Sequence, residues 1–146
     1  MTMPTRADAH AALDTLSKSE LHALADGLLT PEPWVVERCV EFVLAETRGL
    51  WHGRARAMMC RRLKHCALGR THRSALLTCI LARLAEGRFS EQFKDQLRLA
   101  RHLDAGRTRE AALACIADAQ TKGHVRRHAR WLVEHATPET SCRRAR

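Results

Sequence analysis

The sequence predicts an all-α chain of antiparallel helix pairs, arranged as a short solenoid or as a multi-helix bundle of about seven to eight helices. Three observations predict this. Ala, Leu and Arg dominate the 146 residues, and all three are strong helix formers. Apolar residues recur three and four apart along most of the chain, which places them on one face of a helix. The connections between these segments span only about two to six residues, as sequential antiparallel packing requires. The few β-branched residues fall mostly at helical spacing, so no strand is predicted.

In chain order, Met1–Thr5 reads as a frayed start and Arg6–Leu16 as a short helix. Ser17-Lys18-Ser19-Glu20 has the spacing of a capping box, with Leu21, Leu24, Ala25, Leu28 and Leu29 following on one face. Thr30 reads as the cap of the next helix, with proline in its first turn. That helix runs to about Arg48. Its residues Val35, Val36, Cys39, Val40, Phe42, Val43 and Leu44 cover an apolar arc of about 200°, so it is read as the core helix.

Gly49 and the Trp51-His52-Gly53 turn separate it from Arg54–Leu68, a helix with two distinct faces. Ala55, Met59, Leu63, Cys66 and Ala67 share its apolar side. Gly69 ends it as a C′ glycine does. Thr71 caps the next helix, whose core stripe is Leu76, Leu77, Ile80, Leu81 and Leu84. Its back carries the small residues Ser74, Ala75, Thr78, Ala82 and Ala85, which would let another helix approach closely. Gly87 closes that helix. Ser90 caps a further one with the seam Phe93, Leu97, Ala100 and Leu103. Asp104-Ala105-Gly106 reads as a tight connection, with Thr108 as the cap of a short Ala111–Ala119 helix. The last helix is His124–Ala136. Residues 1–136 thus form one domain, and 137–146 a flexible basic tail.

A domain of this size could bury roughly 70% of the surface its unfolded chain exposes. No stretch approaches the ~18 uncharged apolar residues of a membrane span; the longest apolar-rich run without charge is Ser74–Ala82. Met1–His10 has no apolar segment of the kind a secretory signal carries. The six cysteines, Cys39, Cys60, Cys66, Cys79, Cys115 and Cys142, contain no C-x-x-C pair. They are expected to be free cytoplasmic thiols packed as small apolar side chains.

Charge is distributed unevenly. The 39 residues from Thr47 to Ala85 hold nine Lys or Arg and no carboxylate. The remaining residues hold 16 of each sign, so the whole net charge of +9 falls in this block. Arg54, Arg61 and His65 lie on one line of their helix, seven and four apart. Arg62 and Lys64 flank that line, and Arg70, His72 and Arg73 follow where the next helix starts and its amides favour anions. Arg54, Arg61, Arg62, Lys64, His65, Arg70 and Arg73 are therefore the predicted polyanion-binding set. The competing reading is a solvated face whose counter-charges come from Glu37, Glu41 and Glu46 on other helices. Base stacking is not expected, because Trp51 is the only aromatic residue near the set.

Lys122, Arg126, Arg127 and Arg130 make the last helix a second basic surface. There His124, His128 and His135 fall within about 40° of one another, with Trp131 between them. Two histidines at i, i+4 can chelate zinc, but no Cys or carboxylate in phase completes a site, so these three are weak metal candidates and no metal or other cofactor is predicted. Cys66 faces the core and His65 faces water, which separates them as ligands. Gly-rich phosphate loops, paired catalytic carboxylates and nucleophile elbows are lacking, so an enzyme is not the favoured reading.

Two segments 89 residues apart superpose, with Val36 on Val125, Val40 on Ala129, Phe42 on Trp131 and Val43 on Leu132. That offset is about two periods of ~40–47 residues. Asp118, Val125-Arg126, Ala129 and Leu132 give the second segment its pattern, which resembles a HEAT repeat. The first segment departs from it, with Glu37 in place of the arginine and Pro31–Glu32 in the aspartate region. The resemblance covers about a third of the chain. It implies stacked helix pairs with a binding surface along one side, and no chemistry.

The resulting expectation is a non-enzymatic helical-repeat module with a cationic face, partnered by nucleic acid or another polyanion. The alternatives are a protein-interaction scaffold recognising an acidic protein surface, and a His/Cys metal-responsive protein.

Overall fold

The computed structural model describes residues 6–135 and contains eight α-helices, with no strand among the described residues. They are α1 (Arg6–Asp14), α2 (Lys18–Gly27), α3 (Pro33–Leu44), α4 (His52–Leu63), α5 (Arg70–Glu86), α6 (Phe93–Leu103), α7 (Ala105–Ala117) and α8 (Gly123–Glu134). None of them is long and apolar enough to cross a membrane. The predicted frayed start, the basic tail 137–146 and Cys142 lie outside the described residues.

The capping box forms as expected. Ser17 Oγ accepts the Glu20 amide at 3.2 Å, and Glu20 returns a carboxylate oxygen to the Ser17 amide at 3.1 Å. Other helix ends differ from the sequence reading, each for a local reason. α3 starts at Pro33 with Glu32 as N-cap, not at Thr30, because a residue before proline is pushed to extended backbone. It stops at Leu44, four residues short of Arg48, where buried arginine side chains take up its last carbonyls. α4 starts at His52, so the turn before it is made by Leu50 and Trp51 and not by Trp51-His52-Gly53. The His52 side chain is buried, donates through Nε2 to the Leu16 carbonyl at 2.9 Å and packs against Phe42.

α4 ends at Leu63, so Gly69 is the N-cap of α5 and not the end of α4; Thr71 is already inside α5. Gln92, not Ser90, precedes α6, in the left-handed region at φ 57. The Ser90 hydroxyl instead accepts from Gln96 Nε2 at 3.0 Å. Asp104-Ala105-Gly106 is not a connection, since Asp104 alone ends α6 and begins α7. Its carboxylate accepts the Arg107 amide at 2.9 Å, and Thr108, the expected cap, donates its hydroxyl back to the Asp104 carbonyl at 2.8 Å.

The helices stack in two layers. α4 lies between α2 and α6, and behind them α5 lies between α3 and α7. α8 pairs with α7 and also touches α5. The core runs through both layers. Phe42 of α3, Met59 and Leu63 of α4, Leu76, Ile80 and Leu84 of α5, and Leu97 and Leu99 of α6 are fully enclosed. Each contributes about 1.5–3 kcal/mol of burial. The small-residue face of α5 is not a packing face: Ser74, Thr78 and Ala85 are exposed.

Candidate anion-binding face

Two of the nine cations in the carboxylate-free block are inside the protein. Arg83 is 2% exposed and Arg56 4%. Arg83 donates to Glu46 at 3.0 Å, to Gln96 Oε1 at 2.9 Å and to the Leu44 and Ala45 carbonyls at 3.2 and 3.4 Å. Arg56 donates to the Ala45 and Thr47 carbonyls at 3.2 Å and to the Thr47 hydroxyl at 2.7 Å. Together they satisfy carbonyls where α3 ends and hold that end against α4, α5 and α6. Burial, and the neighbouring charge of Arg83, push Arg56 below the usual arginine value. Helix phase is the signal that would have found both. Arg83 follows Ile80 by three and Leu76 by seven, and Arg56 precedes Met59, Cys60 and Leu63 by three, four and seven.

The predicted set does not form one free patch. Arg54 pairs with Glu91 at 2.7 Å, Arg61 with Asp95 at 3.3 Å and Arg62 with Asp26 at 3.0 Å. Arg62 thus leans toward α2, whereas Arg54 and Arg61 lean toward α6 and the residues that precede it. The counter-charges are Asp26, Glu91 and Asp95. Of the three expected, Glu41 pairs with Arg38, and Glu46 serves Arg83 and Arg88. Lys64 is half-buried and His65 exposed, and neither has a charged partner among the described residues. Arg70 and Arg73 stand apart, at the start of α5. Trp51 is itself covered, by Lys18 at 4.4 Å and Arg54 at 5.9 Å.

A denser cluster lies on α6. Most of this helix is buried, and Lys94, Arg98 and Arg101, spaced four and three apart, share one strip of it beside the exposed His102. All three stand over the Trp131 ring of α8, at 5.1, 5.2 and 5.5 Å from its centroid. Arg101 also donates to the His135 carbonyl. Asp95, whose side chain is 8% exposed, bridges this strip to α4. One of its oxygens takes Arg98 at 3.0 Å and the other takes Arg61 at 3.3 Å. Four cations and one carboxylate thus share a continuous ridge from α4 across α6 to α8. Comparison with family models, with curated proteins and with solved structures finds no match to the chain.

The second predicted surface divides in two. Arg126 is half-buried and donates to the Asp118 carbonyl at 2.7 Å, fastening α8 to the end of α7. Lys122, Arg127 and Arg130 are exposed. The three histidines donate to backbone: His124 to Gly87 at 3.2 Å, His128 to His124 at 2.9 Å and His135 to Trp131 at 3.0 Å. His124 and His128 also pack on Phe89. Among the described residues, no three His, Cys, Asp or Glu are grouped to hold a metal.

The thiols are equally quiet. Burial pushes Cys60 up to about 12, and burial with the neighbouring Cys66 does the same for Cys39. A thiol held protonated is a poor nucleophile and a poor metal ligand.

Proposed function

We propose that this chain is a non-enzymatic helical binding module that carries a polyanion, foremost nucleic acid, along the ridge of α4, α6 and α8. The observation behind this reading is the set Lys94, Arg98 and Arg101 gathered around Trp131, with Arg61 joined to it through Asp95. Guanidinium groups bind phosphate in pairs of parallel hydrogen bonds and are desolvated more readily than ammonium groups. Trp131 holds three of these cations in one place through its ring face. Lys64 and His65 lengthen the charged surface at the far end of α4, and Lys122, Arg127 and Arg130 lengthen it at α8. The two-layer stacking supports the HEAT-like reading, in which a ligand tracks along one side of the array. Reduced thiols suit a cytoplasmic place of action.

The test is binding to duplex and single-stranded oligonucleotides over a salt series. Affinity should fall with a log–log slope of about −0.9 per phosphate contact on duplex DNA. Lys94→Glu with Arg98→Glu should remove most of that affinity and reduce the slope by about two contacts. A salt-independent response, or wild-type affinity in the double variant, rejects the reading.

A second reading, as a protein-interaction scaffold, draws on a different place. Trp34 is 62% exposed and stands beside Leu16, Leu24 and Val35 in an open groove between α2 and α3. Capture of one defined protein after nuclease treatment, abolished by Trp34→Ala, would favour it.

A further inference from the structure

We propose that the cleft between the starts of α5 and α7 binds a single phosphate group of a phosphomonoester. The proposal rests on the polyanion reading for its context but concerns different side chains. Arg70, Arg73 and Arg107 line this cleft of about 350 Å³, together with Ser74, Asp104 and the apolar Leu77 and Leu103. That volume admits a phosphate with a small organic group attached.

Three arginines line this cleft, and the carboxylate in its wall, Asp104, caps α7 through one oxygen. Arg73 is anchored by one nitrogen, which donates to the Leu103 carbonyl at 3.0 Å, and this orients the rest of its fork. Arg70 and Arg107 have no acidic partner among the described residues.

The placement of these cations also runs against local helix energetics. Arg70 is the first residue of α5 and Arg107 the third of α7, and neither helix has an acidic residue in its first turn. Positive charge at a helix start opposes the macrodipole, where an anion would be favoured. α5 is capped by Gly69, which gives its leading amides no side-chain acceptor, and a Cβ there would meet nothing within 4 Å. Mutual repulsion and the dipole penalty are both relieved by one oxyanion, which accepts from Arg70, Arg73 and Arg107 together.

Calorimetric titration with inorganic phosphate and with pyrophosphate, against sodium chloride at matched ionic strength, tests the site. Saturable binding is expected, and added phosphate should raise the melting temperature as a ligand of the native state does. Arg107→Glu should weaken phosphate binding by about tenfold or more. The Asp104 cap uses the backbone amide of residue 107, which the substitution keeps, so the unliganded variant should still melt cooperatively and close to wild type. Loss of binding then cannot be ascribed to unfolding. Arg70→Glu should behave likewise at α5, and Lys94→Glu with Arg98→Glu should leave phosphate binding intact, so the ridge and the cleft fail independently. Oligonucleotides with and without a 5′-phosphate distinguish the source: preference for the phosphorylated strand assigns the group to a nucleic-acid end, and equal binding assigns it to a free phosphomonoester. No saturable phosphate binding, or unchanged affinity in both charge reversals, overturns the proposal.

Discussion

Asp95 draws Arg61 of α4 onto α6 at 3.3 Å while only 8% of its own side chain reaches solvent. Its second oxygen takes Arg98 at 3.0 Å, so one carboxylate restrains two arginines that are themselves nearly half exposed. Asp95→Asn keeps the shape and removes the charge. The fold should lose about 1 kcal/mol, since both arginines can hydrate while α6 loses an acidic first-turn residue. Affinity for oligonucleotides should rise, because the ridge gains a net positive charge. Denaturant unfolding and salt-dependent binding read the two effects separately; tighter unfolding resistance together with weaker binding would contradict both.

Arg83 is expected to be the most consequential charged residue for stability. Arg83→Met leaves Gln96 Oε1 and the Leu44 carbonyl without their side-chain donor, leaves Glu46 to Arg88 and the Ala45 carbonyl to Arg56, and should cost about 3–5 kcal/mol. Arg83→Lys should recover only part of this, because an ammonium cannot span the same fork of acceptors. Urea midpoints for the two variants provide the measurement, and a loss below about 1 kcal/mol for Arg83→Met would show that α3 ends as it does without this side chain.

Acid should loosen the same place. Burial alone would push the Glu46 carboxyl up, but the charge of Arg83, the hydrogen bond from it and the charges of Arg88 and Arg56 bring it below its ordinary value of 4.5. A carboxyl lowered in the folded state stabilises fully above the unfolded value, and this contribution is lost as pH falls through the folded value. Melting temperature should therefore decline below about pH 4.5, and Glu46→Gln should flatten that part of the profile while lowering stability at neutral pH.

Gln92 sits at φ 57 without a side-chain hydrogen bond, directly before α6. A side chain in the left-handed region is strained there, and glycine is not. Gln92→Gly should stabilise the protein by about 1 kcal/mol, seen as a higher urea midpoint with an unchanged slope. Destabilisation would mean that the glutamine side chain, not the backbone angle, sustains this corner.

What could be read from the sequence was local. Eight helices, the Ser17–Glu20 box and the glycine stop at Gly87 follow from spacing and from chemistry within a few residues. The end of α3 was not legible, because it depends on Arg56 and Arg83 arriving from helices 9 to 39 residues further along. The ridge was half legible. The spacing of Lys94, Arg98 and Arg101 marks one strip, but only long-range packing brings Trp131 over it and links it through Asp95 to Arg61. The ion pairs of the predicted basic set were not legible for the same reason: its counter-charges, Asp26, Glu91 and Asp95, are distant in sequence and adjacent in space.

Asp104 is the one residue between α6 and α7, whereas six residues separate α4 from α5. The first corner therefore has no slack. One inserted residue there would turn α7 by about 100° about its axis and carry Arg107 out of the cleft. The span 64–69 can absorb such a change by lengthening. Natural variation in chain length should collect at that span and avoid Asp104, which leaves α6 and α7 as the fixed frame against which the first half of the molecule can be re-spaced.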